Sequence, residues 1–370
     1  MDGEGSDDFD WSDESFQQML QEAERNAVVD IEDAQSSSPF ERHRQQKGFL
    51  SVSDLVGMEW CGLQFHYTLE GPGYRTATPA MRKGRAIHHA LELEVHDIVK
   101  VETTAKEDVW GLRLFNCLQG LKEMLRGGKT RELAVFGFTH DTARSSISSF
   151  PSKDRYVIYG IIDEIERHDD PSNNISWHLS DTKTRARPQM PKSSKTEASK
   201  FQLMLYKHLF DALTRGPSAF DADAFFNALH LDPDVPFSDA FLAQTCTNDN
   251  SSPMNLRILL QDTLVFFALF PSLSPSLTLS YRSQQTLALL GEIVFEYDEQ
   301  AILSHLQKAL GYWGGDRMSE VVRGVEMDEA FKCGICEFAD VCEWRRKKCE
   351  ELVKGGGETK KETIRDLKDV

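Results

Sequence analysis

The stretch from Tyr156 to Arg187 constrains this chain more than any other. Two runs rich in β-branched and aromatic residues flank Asp169-Asp170-Pro171-Ser172-Asn173-Asn174. That composition predicts a strand, a turn and a returning strand. Strand side chains alternate between faces. Tyr159, Ile161, Asp163 and Ile165 therefore share a face of the first strand, and Ile175, Trp177, Leu179, Asp181 and Lys183 share a face of the second. The apolar members call for burial and carry two carboxylates and a lysine to the rim of a core. Burying unpaired charge is costly. Two acids and a lysine placed there point to a metal site with a helper cation. For Asp181-x-Lys183 alone the plainer reading is a surface hairpin with a salt bridge, because the tripeptide is common.

The length of 370 residues allows one large domain or two smaller ones. No apolar run approaches the ~20 residues of a membrane span, and the run Leu264–Phe270 is stopped by Pro271. The acidic N-terminus carries neither a signal-peptide pattern nor the Arg-rich look of a mitochondrial presequence. Seven cysteines in such a chain argue for metal or cluster ligation over a disulfide framework. The net charge of −17 argues against nucleic acid until its distribution is read. Residues 1–35 hold twelve acids and one arginine, which is −11 of that total. The remainder is only mildly acidic, and placement matters more than the sum.

Taken in order, residues 1–46 are acidic and lack a long apolar period, so they are expected to be disordered. Ser51-Val-Ser-Asp-Leu55 looks like a helix start, followed by Trp60-Cys61. Residues 78–100 are expected to be helical, with Gly84 and His88 four apart on one face. A glycine there permits close backbone approach, and the histidine could reach a metal; the alternative is a satisfied surface histidine. Val109–Leu125 is expected as a helix and Arg131–Phe138 as a strand. After the hairpin, Lys183, Arg185, Arg187, Lys192, Lys195 and Lys200 form the most basic stretch, either a phosphate path or a solvated loop. Ala198–Leu213 is expected as a helix with Gln202 and Tyr206 on one face. Residues 214–275 read as an insertion or a mixed subdomain. Leu277–Tyr281 and Leu287–Tyr297 read as a second hairpin, and Glu299–Trp313 as a helix.

Cys333-x2-Cys336-x5-Cys342 supplies three thiolates within ten residues. Tetrahedral zinc or a [4Fe–4S] cluster needs four. Cys349 is the near candidate for the fourth and Cys61 the distant one, which would staple the start of the folded region to its end. Cys117 and Cys246 sit in apolar surroundings and read as ordinary buried thiols.

Four ordered motifs, Gly84…His88, Gly160…Asp163, Asp181…Lys183 and Gln202…Tyr206, resemble the RecB-type branch of the PD-(D/E)xK nucleases. The iron–sulfur members of that branch add one cysteine before the core and three after it, as Cys61 and Cys333, Cys336 and Cys342 do here. Within the branch, segments such as Leu91-Glu-Leu-Glu-Val-His-Asp97, Gly160-Ile-Ile-Asp-Glu164 and Ala339-Asp-Val-Cys-Glu-Trp-Arg345 resemble the eukaryotic exonuclease V family across residues 50–346. The family pattern carries Glu-x-Lys where this chain has Asp181-Thr-Lys183, one methylene shorter.

The resemblance implies an α/β fold: a PD-(D/E)xK, restriction-endonuclease-like core, with a central mixed sheet flanked by helices and closed by a four-cysteine iron–sulfur cluster. The expected layout is an acidic tail over 1–46, a nuclease domain over 47–350 with a variable insertion at 214–275, and a flexible charged tail over 351–370. The implied activity is hydrolysis of single-stranded DNA from its ends to short oligonucleotides, in DNA repair. The implied cofactors are a [4Fe–4S] cluster on Cys61, Cys333, Cys336 and Cys342, and Mg²⁺ (or Mn²⁺) on His88, Asp163, Asp181 and the Thr182 carbonyl. Lys183 would position water, and Gln202 and Tyr206 would line the site. Glu132 would support the metal shell, and Arg185, Arg187, Lys192, Lys195 and Lys200 would follow the DNA. Single-stranded DNA, and with it a single-stranded-DNA-binding protein, are the implied partners of a monomer that does not engage membranes. The implied compartment is the nucleus or cytoplasm, with the mitochondrion left open. Three rivals stand beside this reading: an inactive cluster- or zinc-stabilised DNA-binding module, a duplex endonuclease or RNase of the same fold, and a scaffold acting through its acidic tail.

Overall fold

The computed structural model describes residues 37–70, 78–93, 95, 101–139, 155–169, 175–192, 195–245, 255–315 and 321–354. The strands are β1 (Phe49–Ser51), β2 (Lys129–Phe138), β3 (Val157–Asp169), β4 (Ile175–Arg185), β5 (Ser276–Ser283) and β6 (Leu289–Glu296). The helices are α1 (Pro39–His43), α2 (Val52–Val56), α3 (Gly62–Glu70), α4 (Pro79–Glu92), α5 (Lys106–Gly127), α6 (Glu197–Leu213), α7 (Ala222–Ala228), α8 (Asp239–Thr245), α9 (Leu256–Phe267), α10 (Glu299–Trp313) and α11 (Glu343–Lys354). Three 3₁₀ turns join them, at Gly57–Glu59, Pro217–Ala219 and Met327–Ile335.

All six strands form one mixed sheet in the order β1-β3-β4-β5-β6, with β2 also on β3. The long strand β3 has three partners. β2 runs antiparallel to it from Lys129↔Glu166 to Phe138↔Val157. β1 is parallel to its first residues, Val157–Tyr159, and β4 is antiparallel to its last, from Glu164↔Ser180 to Asp169↔Ile175. β4 then continues as the parallel neighbour of β5, from Ser180 to Arg185. The β3–β4 ladder thus ends one residue short of Asp163 and Asp181, and the two strands part there.

Helix starts follow capping chemistry. Ser51 caps α2: its side chain accepts from Asp54 N, and the Asp54 carboxylate accepts from Ser51 N at 2.8 Å. Helix α6 packs on β2 and β3, burying Leu203, Leu205, Leu209, Phe210 and Leu213. Its turns come close to the sheet because β3 carries Gly160. A Cβ at that position would lie 2.6 Å from Tyr206 Cε1 and 2.7 Å from Val52 Cγ2.

The two ends of the folded region meet. His305 Nε2 lies 2.9 Å from the Leu55 carbonyl and its Nδ1 2.9 Å from Glu59 Oε1. Trp313 Nε1 donates to the Asp54 carbonyl, and Leu63 N to the Arg323 carbonyl.

Three expectations need correction. Residues 37–46 are ordered: α1 has a capping box from Ser38, Phe40 packs on the core, and Arg44 pairs with Asp54 at 2.6 Å. A short helix of this kind is held by tertiary partners, which composition does not reveal. Residues 214–275 are short helices and turns, and their Phe225, Phe226, Phe267 and Phe270 belong to the main core, with α9 lying on α5. Ile161 and Ile175, assigned to an inward face, are exposed. The C-terminal helix α11 runs to Lys354, past the expected start of the tail. The rest of the acidic tail, residues 96–100 of the expected long helix, Cys246 and residues 355–370 lie outside the described residues.

Candidate metal centre and thiol cluster

The parting of β3 and β4 opens a site on the sheet. Asp163 Oδ2 accepts from Thr182 N at 3.1 Å across the gap. Asp181 is 1% exposed, and its Oδ1 is buried without a hydrogen-bond partner. Its Oδ2 lies 2.7 Å from Lys183 Nζ. Lys183 Nζ also donates to Gln202 Oε1 at 3.1 Å, and Gln202 Nε2 donates to Tyr206 OH at 2.9 Å. The helix α6 therefore holds the lysine through an amide that is itself held by a buried phenol.

His88 reaches this cluster from α4, its Nδ1 3.4 Å from Asp163 Oδ2, with the Thr182 backbone against its ring. Gly84 makes that approach possible: a Cβ there would sit 3.0 Å from Thr184 Oγ1. Glu132 completes the set from β2. One donor atom from each of His88, Glu132 and Asp163 lies within 4.8 Å of the others. Glu132 holds a left-handed φ of 49° inside a strand, a conformation that costs an ordinary side chain free energy. It has no register partner on β3, although Arg131 and Leu133 beside it do.

The electrostatics are those of crowded acids. Burial, then Asp181, raises the Asp163 carboxyl well above the usual range. Burial and then Glu92 push Glu132 up to about 7, and Asp181 adds to the shift. Burial would raise Asp181 too, but Lys183 and the hydrogen bonds from Asp163 and Lys183 bring it below the ordinary value. Burial works against the Lys183 ammonium, and Asp181 and Asp163 outweigh it, so Lys183 holds its proton more tightly than a free lysine. One acid ionised beside a cation while its neighbour takes the proton is how two close carboxylates share a site.

The structure brings together His88, Asp163, Asp181, Thr182, Lys183, Gln202 and Tyr206. Glu132 lies within 4.8 Å of both His88 and Asp163, and Glu92 was not singled out. Glu132 carries no motif, because β2 reaches the site through a strained residue. Glu164, beside Asp163, is pinned instead by Lys129 at 3.0 Å, by Arg131 and by Ser180 at 3.3 Å. Among the basic residues, Arg185 is half-buried with an unpartnered Nε. Arg187, Lys192 and Lys195 are exposed, and the two lysines lie over the Phe331 ring at 5.9 and 5.1 Å. Lys200 pairs with Glu197 at 2.9 Å.

Cys61, Cys333, Cys336 and Cys342 line one cavity, together with Tyr67, Trp344 and Arg345. Cys349 does not line it, and packs instead on the small cluster of Val325, Ala330 and Cys333. Burial first, then Cys342, Cys61 and Cys336, push the Cys333 thiol up to about 11. Cys117 is fully buried and burial alone raises its thiol, as befits a core residue.

An α/β protein with a hard-cation donor set where two strands of a mixed sheet part is the class that this fold and site define. The sequence model of the family described as "Exonuclease V - a 5' deoxyribonuclease" matches residues 38–179, 169–258 and 254–345. The chain belongs to the Exonuclease V family, a family of DNA exonucleases. It is 28% identical to Exonuclease V of Danio rerio, over 91% of this chain and 82% of that protein. It is 21% identical to mitochondrial Exonuclease V of Candida dubliniensis, over 82% and 74% of the two chains. The crystal structure of SSO0001 aligns over 89% of this chain and 96% of its own at 14% identity, with a TM-score of 0.34, a likeness too slight to carry an argument.

Proposed function

We propose that this chain is a Mg²⁺-dependent, single-strand-specific DNA exonuclease of genome maintenance, carrying a [4Fe–4S] cluster and entering DNA at the 5′ end that its family's description names. The observation that carries the reading is Asp181, buried with an unpartnered oxygen and acting electrostatically on Asp163, His88 and Glu132, the three residues whose donor atoms lie within 4.8 Å of one another. A buried carboxylate oxygen left without a donor costs free energy that a cation offsets. Carboxylates, a carbonyl and one imidazole are donors for a hard divalent ion such as Mg²⁺ or Mn²⁺. His88, Asp163, Asp181 and the Thr182 carbonyl, with Glu132, would hold it. When bound, the ion neutralises charge at a phosphate and acidifies water.

The chain's own residues do the rest. Lys183 keeps its proton at Nζ, so it serves as a fixed cation that orients water and offsets phosphate charge, and not as a base. Gln202 fixes the direction of that ammonium, and Tyr206 fixes Gln202. The half-buried Arg185 and the exposed Arg187, Lys192 and Lys195 leave the site on the strand end of β4 and the segment after it, a course suited to a phosphate backbone. The four thiols sharing one cavity fit a group that takes four sulfurs, and burial, with the neighbouring thiols, raises the proton affinity of Cys61, Cys333 and Cys336, which cluster ligation relieves.

The test is digestion of end-labelled single-stranded DNA with Mg²⁺ by protein purified without air, wild type against Asp181→Ala. The expected result is loss of digestion in a variant that keeps its fold and its brown colour. Equal digestion by both would place the chemistry elsewhere. DNA binding without digestion by either would mean an inactive binding module.

A further inference from the structure

Arg113 on α5 is half-buried and has no carboxylate partner among the described residues. Its guanidinium carbon lies 4.7 Å from the ring centre of Trp110, 5.3 Å from that of Tyr159 and 5.7 Å from that of Phe49. The exposed Lys47 puts its ammonium 4.2 Å from the same Phe49 ring. The neighbouring Arg44 pairs with Asp54 at 2.6 Å, and Asp54 also acts on Lys47 from further off. Phe49 and Trp110 are buried, so the rings hold the cations and are not open to stack bases.

Two cations held against the same Phe49 ring, one of them half-buried, are suited to an anion. Strand alternation places Tyr159 on the face of β3 that carries Asp163, with exposed Ile161 between them. Four residues of strand set the cations about 13 Å from the acids. We propose that Arg113 and Lys47 form a second binding subsite, which grips phosphates of the single-stranded DNA a few nucleotides from the one being cleaved. The inference rests on the nuclease reading above. The ring cage removes most of the side-chain entropy that binding would otherwise cost.

Binding is measured by anisotropy of a fluorescein-labelled oligothymidylate over a salt series, in full-length Asp181→Ala protein so that the probe survives. Adding Arg113→Gln and Lys47→Gln is expected to weaken affinity about tenfold. It should also flatten the log–log salt slope by about 1.4, two phosphates at ~0.7 each. Arg113→Lys with Lys47→Arg keeps both charges and should keep the slope. In digestion by the otherwise wild-type chain, the loss should fall on KM and not on kcat. Unchanged affinity and slope in a folded double variant, while the parent binds and the wild type digests, overturns the subsite and leaves the nuclease reading standing. No binding by the parent and no digestion by the wild type overturns both. If Arg113→Gln does not fold, exposed Lys47→Gln alone should flatten the slope by about 0.7, and an unchanged slope there overturns the proposal.

Discussion

Lys183 Nζ stands 2.7 Å from Asp181 Oδ2, and the amide of Gln202 holds the same nitrogen from α6. The lysine is therefore positioned from two elements at once. Lys183→Met should cut kcat by about 100-fold or more, the size of effect seen when one preorganised charge is removed. Gln202→Ala should cost less, because Asp181 still holds the ammonium. Single-turnover digestion of a labelled oligonucleotide compares the two, and a larger loss in Gln202→Ala than in Lys183→Met would refute the order.

Glu132 and Asp163 share a raised proton affinity from burial and from each other's neighbours. A carboxyl with a folded pKa above its unfolded value stabilises below the unfolded pKa, and that stability is lost as pH rises through the folded one. Metal-free protein should therefore lose stability as pH rises toward about 7, where Glu132 ionises. Added Mg²⁺ should raise Tm more at about pH 8 than at about pH 6, since it must displace those protons at the lower pH. In Glu132→Gln this difference should shrink. Thermal melts with and without Mg²⁺ check it.

Gly160→Ala forces a Cβ to within 2.6 Å of the Tyr206 ring and 2.7 Å of Val52. Overpacking of this kind costs about 1–3 kcal/mol. Tyr206 holds Gln202, so the displacement should also reach Lys183 and lower kcat. Urea unfolding and digestion rates are the two measurements. A stability loss with an unchanged kcat would show that α6 absorbs the strain without passing it on.

Cys61→Ser should remove the visible absorbance of a cluster and lower thermal stability, because it takes one of four thiols from the shared cavity. Cys349→Ser should keep the colour, since Cys349 lies outside that cavity. The reverse pattern would make Cys349 the fourth ligand.

Arg44 holds the Asp54 carboxylate against the cost of its burial, and its pKa is lowered. A depressed acid contributes stability above its unfolded pKa and loses it as pH falls through the folded one. Arg44→Met should therefore destabilise the protein by about 3–5 kcal/mol at neutral pH, as breaking a buried pair does. The deficit should narrow on acidification below the ordinary aspartate range. A deficit independent of pH would assign the loss to packing of Arg44 over Trp313 instead.

The parts of the site that run along one strand or helix were legible because spacing alone orients them. Asp181 and Lys183 alternate on β4, Gln202 and Tyr206 recur on α6, and Gly84 and His88 on α4. Glu132 was harder to read, since its place depends on a left-handed residue within β2 that no local pattern announces. Residues 214–275 resisted for another reason. Their Phe225, Phe226 and Phe267 fill a core whose other half lies more than 80 residues earlier at Phe136, and short helices with turns give no period to follow. The helix at Pro39–His43 owes its order to Glu70 and Asp54, partners that composition cannot name.

The clasp between the two ends of the folded region also sets a timetable for synthesis. Residues 54–63 leave the ribosome early, yet their partners at His305, Trp313 and Arg323 emerge some 250 residues later. Until then the Asp54 carbonyl lacks the Trp313 donor, Leu63 N lacks the Arg323 acceptor, and Phe65 lacks the Tyr312 and Trp313 rings. The nascent chain is thus committed to a long open interval in which a chaperone would have most to cover. A message cut short before Arg323 yields a product whose own beginning never closes.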